Sequence, residues 1–415
     1  MTSPTNGLRC RECGRLFGPE ALYICEWCFG PLEVVYDYDA VASRVSRARI
    51  AAGPPSIWRY ADLLPADPVG AVDLGAGYTP LIRADRLAAE LGLGELWLKD
   101  DTRNPTGSFK DRVTSVALTR ARALGFKVAA CASTGNLANS VAAHAARAGM
   151  ECYVFVPADL ERTKITTTAV FGARVVAIDG VYDEVNRLCA EIADERDDWA
   201  FVNINLRAYY AEGSKTLAFE IGEQLGWELP DHVVVPIASG SLLTKIDKGF
   251  GELGRVGLVD ADRQVRISGA QAAGCAPVAR ALADGAEVPT PVRPDTIAKS
   301  LAIGSPADGE AALRAVRSSS GSIAAATDAE IIEGIRLLAR TEGIFAETAG
   351  GVTIACLGKL ASDGVVRRDE RVVACITGTG LKTVEAFADT LGASAVIEPS
   401  FDAFTALEES WRNPR

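Results

Sequence analysis

The sequence predicts an α/β protein with two parallel-sheet, three-layer domains and an N-terminal ribbon-like segment. Three observations carry this. Short apolar strands alternate with helical patterns from Thr79 to Lys382, the signature of parallel sheets covered on both faces. The 415 residues exceed one small core, so two or more domains are expected. Two Cys-x-x-Cys pairs lie near the N-terminus, Cys10/Cys13 and Cys25/Cys28, a spacing that suits a metal ribbon. The expected boundaries are 1–40 for the ribbon, 41–125 with 206–415 for a large domain, and 126–205 for a small one.

Composition narrows the function classes. Hydrophobic residues make up 48% and charged residues 23%, as in ordinary soluble proteins. The formal charge is −11, and no basic stripe of the kind nucleic-acid binders carry is present. No apolar run is long enough to span a bilayer. Met1–Gly7 lacks the regions of a signal peptide, so a cytoplasmic location is expected. Cys131, Cys152, Cys189, Cys275, Cys356 and Cys375 then read as reduced, buried residues.

In chain order, the four N-terminal cysteines form a four-thiolate set suited to tetrahedral zinc. The two histidines, His144 and His232, lie far away. A ribbon that has lost its metal, or holds it loosely, has the same spacing. Ala51–Asp67, rich in Gly, Pro and Ala, reads as a linker, followed by a helix over Ala84–Leu91. Leu96–Leu98 reads as a buried strand and Val113–Leu124 as a helix. Between them lies Asn104-Pro-Thr-Gly-Ser-Phe-Lys-Asp-Arg112, a tight turn that places Lys110 at the head of a helix. An isolated lysine there is usually solvated. A rigid strand–turn–helix corner is also where α/β proteins place ligands, and a Schiff-base lysine needs such a fixed position.

The alternation continues. Strand Val128–Ala132 feeds Ser133-Thr-Gly-Asn-Leu-Ala-Asn-Ser140, whose small polar residues cap a helix or offer it donors. Strand Cys152–Val156, a helix near Glu161–Phe171, strand Ala173–Ile178 and helix Tyr182–Glu195 follow. Asn203–Thr216 reads as a loop entering helix Leu217–Leu225. Strand His232–Ile237 runs into Ala238-Ser-Gly-Ser-Leu242 and a helix to Phe250. Strand, small residues and helix N-terminus make a phosphate cradle in which backbone N–H groups meet the positive end of the helix dipole. Strand Val265–Gln271, helices Ala276–Ala283 and Asp328–Glu342, the run Phe345–Gly351 leading into a helix through Leu360, and strand Val372–Ile376 complete the pattern. The last strand ends on Thr377-Gly-Thr-Gly-Leu-Lys382.

The Asn104–Arg112 run resembles the lysine motif of the fold-type II pyridoxal-phosphate enzymes, and within them the threonine synthases. The likeness extends from Cys10 to Lys382. It implies that Lys110 carries the cofactor and acts as catalytic lysine. By the same resemblance Asn136 contacts the cofactor's phenolic oxygen, Ala238, Ser239, Gly240, Ser241 and Leu242 cradle its phosphate, and Thr377 meets its pyridine nitrogen. Lys99, Ser108, Ser133, Thr134 and Arg207 are candidate contacts for a phosphorylated amino acid, since cations and hydroxyls suit that anion. Many threonine synthases carry an arginine where Tyr210 stands here, and asparagines where Ser239 and Leu242 stand. The implied reaction converts O-phosphohomoserine and water into threonine and phosphate, with a homodimer expected. The alternatives are a cysteate-synthase-like β-replacement on O-phosphoserine and a non-catalytic ligand-binding relative.

Overall fold

The computed structural model describes residues 5–133, 135–158, 162–180, 182–387 and 392–412. The N-terminal ribbon is a three-stranded antiparallel sheet of β1 (Thr5–Cys10), β2 (Leu16–Phe17) and β3 (Leu32–Tyr36), in the order β2-β1-β3. Cys10 ends β1 opposite Leu32, so the first cysteine pair opens from a strand end.

Two further sheets carry the body. The larger contains β4 (Leu81–Arg83), β5 (Glu95–Asp100), β10 (His232–Pro236), β11 (Arg266–Ala272), β12 (Ile323–Ala326) and β13 (Arg371–Ile376). Its order is β12-β11-β10-β13-β5-β4, and only β4 pairs antiparallel. The smaller contains β6 (Val128–Ala132), β7 (Glu151–Pro157), β8 (Arg174–Ile178) and β9 (Trp199–Phe201), all parallel, in the order β8-β7-β6-β9. β6 and β10 are buried along their whole length, which explains why they read as unbroken apolar runs rather than alternating ones.

Most expected elements occur within a few residues of their expected bounds. Helix Asp328–Glu342 begins at a capping box in which Thr327 and Glu330 satisfy each other's backbone N–H groups. The expected linker over residues 51–67 is instead packed core. Pro54 and Pro55 precede a 3-10 turn, Ile57–Leu63, with Ile57, Trp58, Tyr60, Leu63 and Leu64 buried. Trp58 donates to Ser115 Oγ at 3.0 Å. Large apolar side chains spaced among the prolines outweigh the loop-like composition. The loop over 203–216 contains a helix, Arg207–Glu212.

The chain up to Lys382 forms one compact unit, and Thr383–Arg415 forms a second with a helix over Phe401–Arg412. Among the described residues no helix is long and apolar enough to cross a membrane.

Candidate active site

The C-terminal ends of β5, β6, β10 and β13 carry the residues singled out above, as expected for ligand sites on parallel sheets. After β5 the chain turns through Asn104–Gly107. Gly107 has φ +73°, and a Cβ there would lie 2.7 Å from Thr379 Cγ2, so the turn needs glycine. Helix Lys110–Ala123 then begins. Asp111 closes the turn by accepting from the Thr106 N–H at 2.6 Å and its hydroxyl at 2.7 Å.

Arg112 is the anchor of this corner. It is fully buried and donates to both oxygens of Asp101 at 2.7 Å, to Glu220 Oε2 at 2.9 Å and to Thr79 Oγ1 at 2.9 Å. A fork-shaped, permanently charged donor held on two carboxylates is rigid. Lys110, two residues earlier, inherits that rigidity. Its Nζ lies 4.5 Å from the centre of the Phe109 ring and donates to the Tyr210 hydroxyl at 2.9 Å.

Thr377 lies beside the lysine turn. The Phe109 N–H donates to the Thr377 carbonyl, and the Thr379 N–H to that of Gly107, both at 2.9 Å. Asn136 opens helix Asn136–Ala148 and donates to the two oxygens of Glu347 at 2.9 and 3.1 Å. Burial pushes the Glu347 carboxyl up, opposed by Asn136 and by the charges of Lys382 and Lys110. Glu347 holds the same corner through its N–H, which donates to the Gly378 carbonyl at 2.9 Å. No motif assigns Glu347 from sequence; a lone glutamate inside the apolar Phe345–Gly351 run was the available signal.

After β10, Ala238–Gly240 leads into helix Ser241–Arg255. Gly240 has φ +93°, and its missing Cβ would lie 2.6 Å from the Asp308 carbonyl oxygen. Only glycine allows this approach, and the first N–H groups of the helix have no partner within it. A lysine amine, an N–H cradle and Asn136 fit a carbonyl cofactor that bears a phosphate.

The candidate substrate residues divide. Lys99 is not available: its Nζ is fully buried and bonds the Thr79 carbonyl at 2.6 Å, Glu220 at 2.6 Å and Gln224 at 2.9 Å. Its position on β5, facing the Arg112 cluster, makes it part of the core. Arg207 is ion-paired with Asp308 at 2.7 Å. Ser108 is buried, and its hydroxyl has no partner among the described residues. Ser133 Oγ accepts from the Gly135 N–H at 3.4 Å. Thr134 lies outside the described residues. Lys382, quoted from sequence only as a motif end, has a buried Nζ without a partner among the described residues. Burial pushes its amine down, with Glu347 and Asp111 opposing.

The Sγ atoms of Cys10, Cys13, Cys25 and Cys28 all lie within 4.8 Å of one another. Cys10–Cys28 is 3.4 Å and Cys13–Cys25 is 3.7 Å. A tetrahedron with Zn–S bonds of about 2.3 Å has sulfurs about 3.8 Å apart, so the set fits zinc. Burial pushes the Cys25 thiol up, but backbone N–H groups of Cys28 and Trp27 bring it down to about 7, toward the thiolate that binds metal.

The chain resembles known proteins in sequence and in fold. Residues 72–378 match the family described as pyridoxal-phosphate dependent enzyme. A relative from Methanocaldococcus jannaschii named threonine synthase is 41% identical, covering 91% of this chain and 93% of its own. Another of that name from Methanosarcina acetivorans is 37% identical, covering 95% and 97%. One from Mycobacterium tuberculosis is 40% identical, covering 79% and 89%. Among solved structures, diaminopropionate ammonia lyase from Escherichia coli superposes with TM-score 0.64 at 20% identity, covering 76% of this chain and 88% of that one. Maize serine racemase gives 0.62 at 18%, covering 80% and 93%. These two likenesses show the fold alone. The chain belongs to the pyridoxal-phosphate dependent enzyme family, with relatives named threonine synthase matching it over most of its length.

Proposed function

We propose that this protein is a threonine synthase, converting O-phosphohomoserine and water into threonine and phosphate. The observation that carries the reading is Lys110, held at a helix head by the buried Arg112 cluster with the Tyr210 hydroxyl 2.9 Å from its amine. The threonine synthase name of relatives covering nearly the whole chain supports the choice of reaction.

Pyridoxal phosphate bound here supplies an electron sink for negative charge at the substrate Cα. Lys110 would hold it, with Asn136 at its phenolic oxygen, residues 238–242 at its phosphate and Thr377 at its ring nitrogen. Lys110 Nζ, once free, would take protons from the substrate Cα and Cβ and return them to Cγ and, after hydration, to Cα. The Tyr210 hydroxyl orients that amine, accepting from it when protonated and donating to it when neutral. Phosphate leaves from Cγ, and water adds at Cβ. Ser108 Oγ and Lys382 Nζ, both without a partner among the described residues, are the donors assigned to an anionic group of the substrate. A cytoplasmic homodimer completes the reading; ten cysteines without a disulfide support a reducing compartment, and light scattering checks the dimer.

The test is phosphate release from O-phosphohomoserine and O-phosphoserine side by side. Release from the first with threonine formed is expected. Release from O-phosphoserine alone would replace this reading with a β-replacement enzyme, and release from neither would point to a ligand-binding protein.

A further inference from the structure

The ribbon is tied to the phosphate cradle through one aspartate. Arg11 lies between two metal-ligand candidates, Cys10 and Cys13. Its Nη1 bonds Asp308 Oδ1 at 3.0 Å, while Arg207 Nη2 takes Asp308 Oδ2 at 2.7 Å. The Asp308 side chain is 8% exposed, against 19% for Arg11 and 25% for Arg207, so these bonds are partly shielded from water. The Asp308 backbone belongs to the cradle. Its N–H donates to the Ser239 carbonyl at 2.8 Å, and its carbonyl oxygen lies where Gly240 would carry a Cβ. Asp308 therefore sets the position of the two residues that precede the cradle helix.

The opposite side of the ribbon grips the same helix independently of the cysteine knuckles. Lys248 donates to the Val34 carbonyl at 3.2 Å. Tyr36 donates to Glu212 at 2.8 Å, and Glu212 pairs with Lys245 at 2.6 Å. β3 is thus a static anchor, while the Arg11 contact depends on the path of the first knuckle. That path is set by the Arg11 N–H to the Pro31 carbonyl at 3.0 Å, the Gly14 N–H to the Cys10 carbonyl at 3.1 Å, and the four thiolates.

We propose that metal in the ribbon raises the affinity of the catalytic body for its phosphate-bearing cofactor, with Arg11 and Asp308 as the positioning residues that link the two. With metal bound, the knuckle presents Arg11 to Asp308, and Asp308 is clamped from both sides with Ser239 and Gly240 in place. Without metal the knuckle loses its cross-link, Asp308 keeps only Arg207, and the cradle loses part of its preorganisation. This link rests on the cofactor-site reading above but not on the identity of the substrate.

The test is pyridoxal phosphate affinity, measured by fluorescence titration of full-length protein stripped of cofactor, with one zinc per chain or after chelation. Zinc removal is expected to weaken wild-type binding by about tenfold, the effect of losing one charge-assisted contact. Arg11→Ala should show the weakened affinity even with zinc bound, and chelation should then weaken it little further. Arg11→Lys should recover part of the loss. Zinc content and circular dichroism of each variant separate this from unfolding. Wild-type affinity in zinc-loaded Arg11→Ala, or an equal zinc effect with and without Arg11, overturns the link while leaving the cofactor site intact. Absence of any uptake by wild type overturns the cradle and the link together.

Discussion

Replacing Glu220 with glutamine removes a charge from the buried cluster behind Lys110. Glu220 is fully buried and receives Arg112, Lys99 and the N–H groups of Tyr78 and Thr79 at 2.7 and 3.2 Å. Burial alone pushes its carboxyl up; Arg112 first and Lys99 second pull it from 4.5 down to about 2. Burial outweighs Glu220 at Lys99, whose amine is pushed down, so Arg112 is the main partner. A carboxylate held that far below its ordinary value is worth about 3 kcal/mol of stability. Breaking a buried ion pair by removing one partner costs about 3–5 kcal/mol, which is the same order. The folded value lies below the unfolded one, so the contribution is complete above about pH 4.5 and is lost as pH falls toward 2. Urea unfolding followed by tryptophan fluorescence should therefore show Glu220→Gln about 3 kcal/mol less stable than wild type at pH 7. The gap should narrow by about 1 kcal/mol at pH 4. A gap under about 1 kcal/mol at pH 7, or one that does not narrow on acidification, would mean that Arg112 and Lys99 do not hold Glu220 ionised at a gain in stability.

Three further outcomes follow from the site. Gly240→Ala places a Cβ 2.6 Å from the Asp308 carbonyl at φ +93°, a strain of about 1–3 kcal/mol; cofactor affinity measured by titration should fall about tenfold or more. Tyr210→Phe keeps the ring but removes the hydroxyl at Lys110, so kcat should fall about tenfold with unchanged cofactor absorbance; an unaltered kcat would remove Tyr210 from the mechanism. Lys382→Met should raise KM for the phosphorylated substrate about ten- to a hundredfold, and wild-type KM in that variant would place the anion elsewhere.

What sequence reveals here follows the range of each interaction. The lysine turn, the Asn136 helix start and the Gly240 turn are local: each needs a particular backbone shape within a few residues, and glycine and proline record it. The strands are legible because burial on both faces leaves apolar runs such as Val233–Val235. Residues whose role depends on a distant partner are not legible. Lys99 reads as a free cation because Glu220, 121 positions later, is its partner only in three dimensions. Arg207 reads as a cation free for the substrate phosphate because nothing nearby announces Asp308. Glu347 matters through Asn136, 211 positions away. The 51–67 segment misleads for another reason: its composition is that of a loop, and only the spacing of Ile57, Trp58, Tyr60 and Leu63 marks it as core.

In the proposed reaction, carbon–oxygen cleavage at Cγ is followed by addition of water at Cβ. Turnover of O-phosphohomoserine in water enriched in oxygen-18 tests it directly, with both products analysed by mass spectrometry. Threonine carrying the label in its hydroxyl and phosphate released unlabelled are expected, both lost in Lys110→Ala. Homoserine with labelled phosphate would mean attack at phosphorus and would contradict it.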